Sequence, residues 1–279
     1  MIDLDAVIRS SIDIEPLPVS VTRLASLVVK DDTNIDEIAE VISYDQSLTA
    51  RVLRWANSAA SANAAPVTSV DEAVMRMGTG IIMEVAIAAG VRKELNQSIP
   101  EYGLTEGELW KHSIASALAV DIFKGRTSVE VPHESFTTAL LHDVGKLVLM
   151  RYLDPDTLRL LDLARKKGGA SERKAESELL LVHHGEVGGL VAQHWKLPES
   201  IVRGIIYHHT PEEIDEPLPY VVQMANIVAK TIGTGSGMDT SDLDEKQSAL
   251  DYLGFSEDEF VNICEKVGEN LQEVIDRYR

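Results

Sequence analysis

A chain of 279 residues with 44% hydrophobic side chains can bury a sizeable core, and its single cysteine, Cys264, excludes an intrachain disulfide. Its 45 acidic residues outnumber the 26 basic ones, for a net charge of −19, so the surface repels phosphate backbones and anionic membranes alike, and neither nucleic acid nor membrane is expected as a partner. The opening MIDLDAVIRSSIDIE lacks the basic start and apolar centre of a secretory signal, and no apolar run nears the roughly 18 residues of a membrane span, so a cytoplasmic location is expected.

Apolar residues recur at helical spacing and no stretch reads as a sheet, so the expected fold is all-α. Asn34 followed by Glu37 is a capping-box-like start, and Ile35, Ile38, Val41 and Ile42 then mark one helical face. Leu48, Val52, Trp55 and Ala56 make the next stripe. Ser69 and Glu72 form a second capping box ahead of Val70, Ala73, Val74 and Met77, with Gly78 as the stop. Short helices with short connectors predict a first bundle over residues 1–95. The stretch NQSIPEYGLT, residues 96–105, carries Pro100 and Gly103 and is the expected boundary. A second bundle is expected over 96–232. Residues 105–124 read as a buried helix and 134–152 as another. A helix over 156–167 is expected to end at Gly168 and Gly169, with more near 172–182, 185–195, 198–208 and 218–232. GTGSGMDTSD, residues 233–242, reads as a loop. Two amphipathic helices, the last capped by Ser256 and Glu259, complete a C-terminal extension over 233–279, and the whole is expected to form one continuous unit.

In ALLHDVGKLVLM, residues 139–150, His142 and Asp143 stand side by side among leucines. The pair is either a self-satisfied polar contact in a core or part of a metal site, because buried polar groups need partners. His112, His142, His184, His208 and His209 all fall at or beside expected helices. Glu108 and His112 are four apart and share a helical face. Imidazoles and carboxylates bind Zn, Fe, Mn or Ni, and bundles build metal sites from side chains that project inward off different helices. His133 reads as a loop residue, and His183 and His194 read as structural. Trp55 reads as packing, Asn57 as a local cap or turn contact, and Cys264 as a small buried hydrophobe.

The order His112, His142–Asp143, His184, His208–His209, with HDVGK intact, resembles the HD superfamily of metal-dependent phosphohydrolases. LPVSVTRLASLV, IAEVISYDQSLTARVLRWANSA and VTSVDEAVMRMG resemble the front half of the HDOD family, the HD-related output domain of bacterial signalling. LWKHSIASALAVDIF, ALLHDVGKLVL, HHGEVGGLVAQHWKLPESIVRGIIYHH and MANIVA resemble its back half. Coverage is roughly residues 15–232.

The resemblance implies two packed helical bundles, the second HD-like, and a signalling output that has lost hydrolase activity. It also implies a ligand set for one or two divalent transition metals, Fe, Mn, Zn or Ni. His112, His142, Asp143 and a late acid would hold one ion; His184, His208, His209 and Glu108 belong to the second. Lys146 matches a lysine that contacts substrate phosphate, so Asp143 and Lys146 would be catalytic in an active member. Asn226 stands where the late Asp is expected, and an amide oxygen is a weaker, neutral ligand. His209 is followed by TPEEIDEPLP rather than the GYP signature of cyclic-di-GMP phosphodiesterases, which points away from that activity. Three readings remain open. One is a regulatory module that binds signalling proteins or a ligand, tuned by metal occupancy. Another is a metal-dependent phosphohydrolase acting on a nucleotide or other phosphoester. The third is a metal or redox sensor.

Overall fold

Helix starts are set by side chains that satisfy the free backbone N–H groups of a first turn. The computed structural model describes residues 9, 14–30, 33–59, 66–152, 156, 172–235 and 241–278. Helix α1 spans Val19–Val28 and α2 spans Ile35–Ser43, where Asn34 Oδ1 accepts from the Asp36 N–H at 3.1 Å. Asp45 caps α3, Gln46–Ala59, by accepting from the N–H groups of Ser47 and Leu48, both at 3.0 Å. Ser69 caps α4, Val70–Met77, through the Glu72 N–H at 3.2 Å, while Glu72 reaches back to the Thr68 N–H. Helix α5, Thr79–Leu95, is the centre of this front bundle, and α1, α3 and α4 pack on it. Among the described residues the one extended pairing is the bridge between Ile99 and Leu104 at the expected boundary.

The back bundle is built on two buried helices, α6 (Glu108–Phe123) and α12 (Pro217–Thr231), which pack along each other. Around them lie α7 (Ser135–Leu141), α8 (Lys146–Leu149), α9 (Glu172–Leu180), α10 (His184–His194) and α11 (Glu199–Ile206). Helix α13, Ser241–Leu253, packs on α12, and α14, Glu257–Arg277, packs on α6 and α12. The Ser256–Glu259 capping box is complete. Beyond α14, the Tyr278 ring lies 4.5 Å from the Trp55 ring and 5.5 Å from that of Trp110. Asn57 is more than a local cap: its amide spans α3 and the approach to α4, donating to Val67 O at 2.9 Å and accepting from Val67 N at 2.8 Å. One contiguous cluster of buried apolar residues runs from Ile14 to Tyr278.

The largest departure from the expected helices is at the HD pair. The helix expected over 134–152 is broken: α7 stops at Leu141, residues 142–145 form a turn, and α8 restarts at Lys146. The turn is tightened by three-residue bonds, Val144 N–H to Leu141 O at 2.9 Å and Lys146 N–H to Asp143 O at 3.0 Å. Gly145 explains the break. A Cβ there would fall 2.0 Å from His184 O and 2.6 Å from Gly188 N, so the turn packs backbone to backbone on the start of α10. The helix expected over 156–167 lies outside the described residues, save Asp156, as does 236–240 of the expected loop.

Candidate metal centre

Four segments bring five imidazoles and a carboxylate to one buried region. His112 comes from the second turn of α6, His142 and Asp143 from the broken turn, His184 from the first residue of α10, and His208 and His209 from the turn just beyond α11. The His183 ring caps α10 by accepting from the Gly185 N–H, and Glu186 completes the box, which fixes where α10 and so His184 begin. None of the six side chains is on a residue more than 7% exposed.

The donors form two clusters, His112–His142–Asp143 and His184–His208–His209. In the first, the two Nε2 atoms are 3.3 Å apart and lie 3.5 and 3.6 Å from Asp143 Oδ2. In the second, His184 Nε2 and His209 Nε2 are 3.0 Å apart. Asp143 joins the clusters, because its other oxygen, Oδ1, lies 3.4 Å from His184 Nε2. Two donors adjacent on an ion at ~2.1 Å stand roughly 3.0–3.4 Å apart, so these separations suit coordination.

The opposite ring nitrogens decide what the Nε2 atoms can do. His142 Nδ1 donates to Ala139 O and His208 Nδ1 to Ile205 O, each at 2.7 Å. His184 Nδ1 donates to Glu176 Oε2 at 2.7 Å, and His209 Nδ1 to Glu245 Oε2 at 3.3 Å. The Thr234 hydroxyl gives its proton to Ala229 O at 2.7 Å, so it accepts from His112 Nδ1 at 3.2 Å. Every Nδ1 thus carries a proton, and five Nε2 lone pairs turn towards one another. Lone pairs 3.0–3.3 Å apart repel unless a cation or a proton lies between them. Among the described residues His208 Nε2 is buried with no hydrogen-bond partner, an expensive arrangement for a lone imidazole nitrogen. Ring orientation by carbonyls and carboxylates is the usual support for metal-binding histidine. The residues fit a bound transition metal.

The electrostatics agree. Burial holds His112 at about 3 and pushes His142, His208 and His209 below the ordinary imidazole value, so all four are neutral donors. Burial also opposes charge on His184, but Glu176 overrides it and raises that pKa. Burial disfavours the Asp143 anion, yet the Lys146 ammonium, with His184 alongside, holds it ionised, well below the usual carboxylate range.

The remaining expected site residues fall differently. Glu108 is in neither cluster; its carboxylate turns back to accept from the Thr105 N–H at the front of α6. Lys146 is buried, with its ammonium 2.9 Å from Asp143 and 2.6 Å from Glu172 and its charge 5.5 Å from the Tyr102 ring. Asn226 is buried on α12 with no partner for Oδ1 among the described residues, one turn from Lys230, whose charge acts on His112 and His209. Glu176, Glu245, Thr234 and Glu172 support the centre without having been expected from the sequence. Glu176 is the best-connected of them: it also accepts from the Tyr102 hydroxyl at 2.7 Å and from the His184 N–H at 2.8 Å.

Comparison with known proteins gives this architecture its family. The HDOD domain model matches residues 14–211. An HDOD domain protein with unknown function from Geobacter sulfurreducens shares the fold at a TM-score of 0.74 and 22% identity over 99% of both chains. A protein from Shewanella amazonensis SB2B, provisionally named a phosphohydrolase, gives 0.69 at 25% identity over 98% of both chains. A provisionally named signal transduction protein from Marinobacter aquaeolei VT8 gives 0.75 at 21%, covering 99% of this chain and 64% of that one. An uncharacterized protein of Treponema pallidum (strain Nichols) is 24% identical over 223 residues, 78% of this chain; the chain spans 42% of that relative's length. Matched by the family model over most of its residues and by solved structures over its whole fold, this chain belongs to the HDOD domain family.

Proposed function

We propose that this protein is a bacterial signalling output module of the cytoplasm, non-catalytic, that binds a signalling protein or small ligand and carries a divalent transition-metal centre that tunes this binding. The observation that supports the reading is the set of five Nε2 lone pairs, each fixed by a proton on its own Nδ1 and gathered in two clusters, with the Asp143 oxygens beside those of His112, His142 and His184. His112, His142 and Asp143 would hold one ion, and His184, His208, His209 and the second Asp143 oxygen another. Asn226 offers the first ion a neutral oxygen in place of an acid. Glu108 is left outside the ligand set, since its carboxylate is committed to the helix start. No helix among the described residues is long and apolar enough to cross a membrane.

A second reading, a metal-dependent phosphohydrolase for a nucleotide or other phosphoester, draws on the same bridging carboxylate. Bound ions would neutralise charge on a phosphoester oxygen. The chain's own groups supply less. Lys146, the expected phosphate contact, is held by two carboxylates, and the ligand residues are 0–7% exposed.

Elemental analysis of the purified protein beside a His142→Ala/Asp143→Ala variant tests the centre. Near-stoichiometric metal in the parent and none in the variant is expected; no metal in either after reconstitution with Mn, Fe, Zn or Ni refutes it. Hydrolysis of bis-p-nitrophenyl phosphate by the loaded protein, abolished in His142→Ala and raised in Asn226→Asp, would move the assignment to the hydrolase.

A further inference from the structure

Away from the histidines, three helices enclose a cavity of about 230 Å³. Helix α5 contributes Ile81, Glu84 and Val85, α6 contributes Ile114, Leu118 and Asp121, and α14 contributes Val274 and Arg277, followed by Tyr278. Each set is spaced three or four apart, so each helix presents one face. Trp55 and Phe136 add aromatic surface. The volume falls below the roughly 300–1,000 Å³ of drug-sized pockets, which sets the scale of an occupant.

The charge at one end is not balanced. Lys124 reaches one oxygen of each acid, 2.8 Å from Glu84 Oε1 and 2.7 Å from Asp121 Oδ1, so one cation serves two carboxylates. Arg277 does not supply the missing charge, because it pairs with Glu273 while lying 5.4 Å over the Trp55 ring. Tyr278 lines the cavity at 9% exposure, and its hydroxyl has no hydrogen-bond partner among the described residues. Both carboxylates act on that phenol. Burial, with Asp121 alongside, pushes Glu84 up to about 7 against the opposing pull of Lys124, which Glu84 shares with Asp121.

We propose that this cavity binds a small organic monocation, an amine carried on an apolar or aromatic body. The ammonium would sit at Glu84 and Asp121 with the Tyr278 oxygen as a further acceptor, and the body would lie against Trp55, Leu118 and Phe136.

Isothermal titration of the full chain with 2-phenylethylamine, 2-phenylethanol and phenylacetate, in chelator to silence the histidines, tests this. Saturable binding of the amine, roughly tenfold or more tighter than the alcohol and with phenylacetate excluded, is expected. Glu84→Gln/Asp121→Asn should erase the preference for the amine over the alcohol, and Val85→Phe should block both by filling the space. The comparison on the unaltered protein stands even if a variant misfolds. Equal affinity for amine and alcohol, binding of phenylacetate, or no saturable binding of the amine at millimolar concentration overturns the proposal.

Discussion

Glu176→Gln is the sharpest perturbation of the proposed metal centre, because it removes a charge and leaves the shape. In the parent, Glu176 Oε2 accepts from His184 Nδ1 and from the His184 N–H, and Oε1 accepts from the Tyr102 hydroxyl. A glutamine can turn its oxygen to the two His184 donors and its amide N–H₂ to the Tyr102 oxygen, which accepts once its own proton rotates away. All three contacts survive and only the Tyr102 proton loses its acceptor, so fold stability should fall by no more than the roughly 1–3 kcal/mol of one stranded group. What is lost is the negative charge that makes the His184 ring a stronger donor. Losing such a partner costs roughly 10- to 100-fold in metal affinity, or about 1.4–2.8 kcal/mol. Alanine is the wrong choice. It strands the two His184 N–H groups and the Tyr102 hydroxyl, at about 1–3 kcal/mol each, and would confuse unfolding with lost affinity. The assay is competitive metal titration against a chromogenic chelator, with urea unfolding of the metal-free variant as the control. Parental affinity in Glu176→Gln, with stability intact, would refute the reasoning, since a neutral acceptor would then serve as well as the carboxylate.

Three other outcomes follow from the geometry. Gly145→Ala places a methyl 2.0 Å from His184 O, so the turn must retreat by about 1.5 Å, costing 1–3 kcal/mol or more and opening the 3.4 Å gap between Asp143 and His184; urea midpoints and metal content should both fall, and a parental midpoint would show the packing to be looser than described. Glu108→Gln should leave metal content unchanged and cost at most about 1 kcal/mol of stability, and loss of an ion would return Glu108 to the ligand set. His184 in the metal-free protein has a raised pKa, so it is protonated below that value, stabilises the fold there, and loses the contribution as pH rises through it. Metal needs the bare Nε2, so affinity should weaken as pH falls through the raised His184 value; the other four rings are already neutral, which limits the release to about one proton per protein, measurable by calorimetry in two buffers, and a release of several protons would contradict the assignment.

Periodicity and capping carried much of the fold. Asn34, Ser69 and Ser256 each start a helix where the spacing placed one, and the buried helix expected over 105–124 is found as Glu108–Phe123. Periodicity failed at the HD pair because the break depends on Gly145 touching α10, a contact 39 or more residues away that no local pattern records. That the histidines would gather was legible because imidazoles amid leucine demand partners. Their supporting carboxylates were not. Glu176 sits in SERKAESELL, where a fully buried acid and a solvated one look alike. Glu108 shares the His112 face as expected, but a long side chain at a helix start finds the unpaired N–H of Thr105 first.

The hold of α13 on the centre has a thermodynamic consequence. Glu245 orients His209, and Thr234, before α13, orients His112, so both clusters are braced from beyond the second bundle. If the proposed centre takes up an ion, docking of this segment and occupancy of the centre are linked equilibria. By reciprocity, whatever factor an ion adds to the seating of α13, a seated α13 adds to the retention of the ion. A partner that pries α13 from α12 would act as a metal-release factor without touching a single ligand.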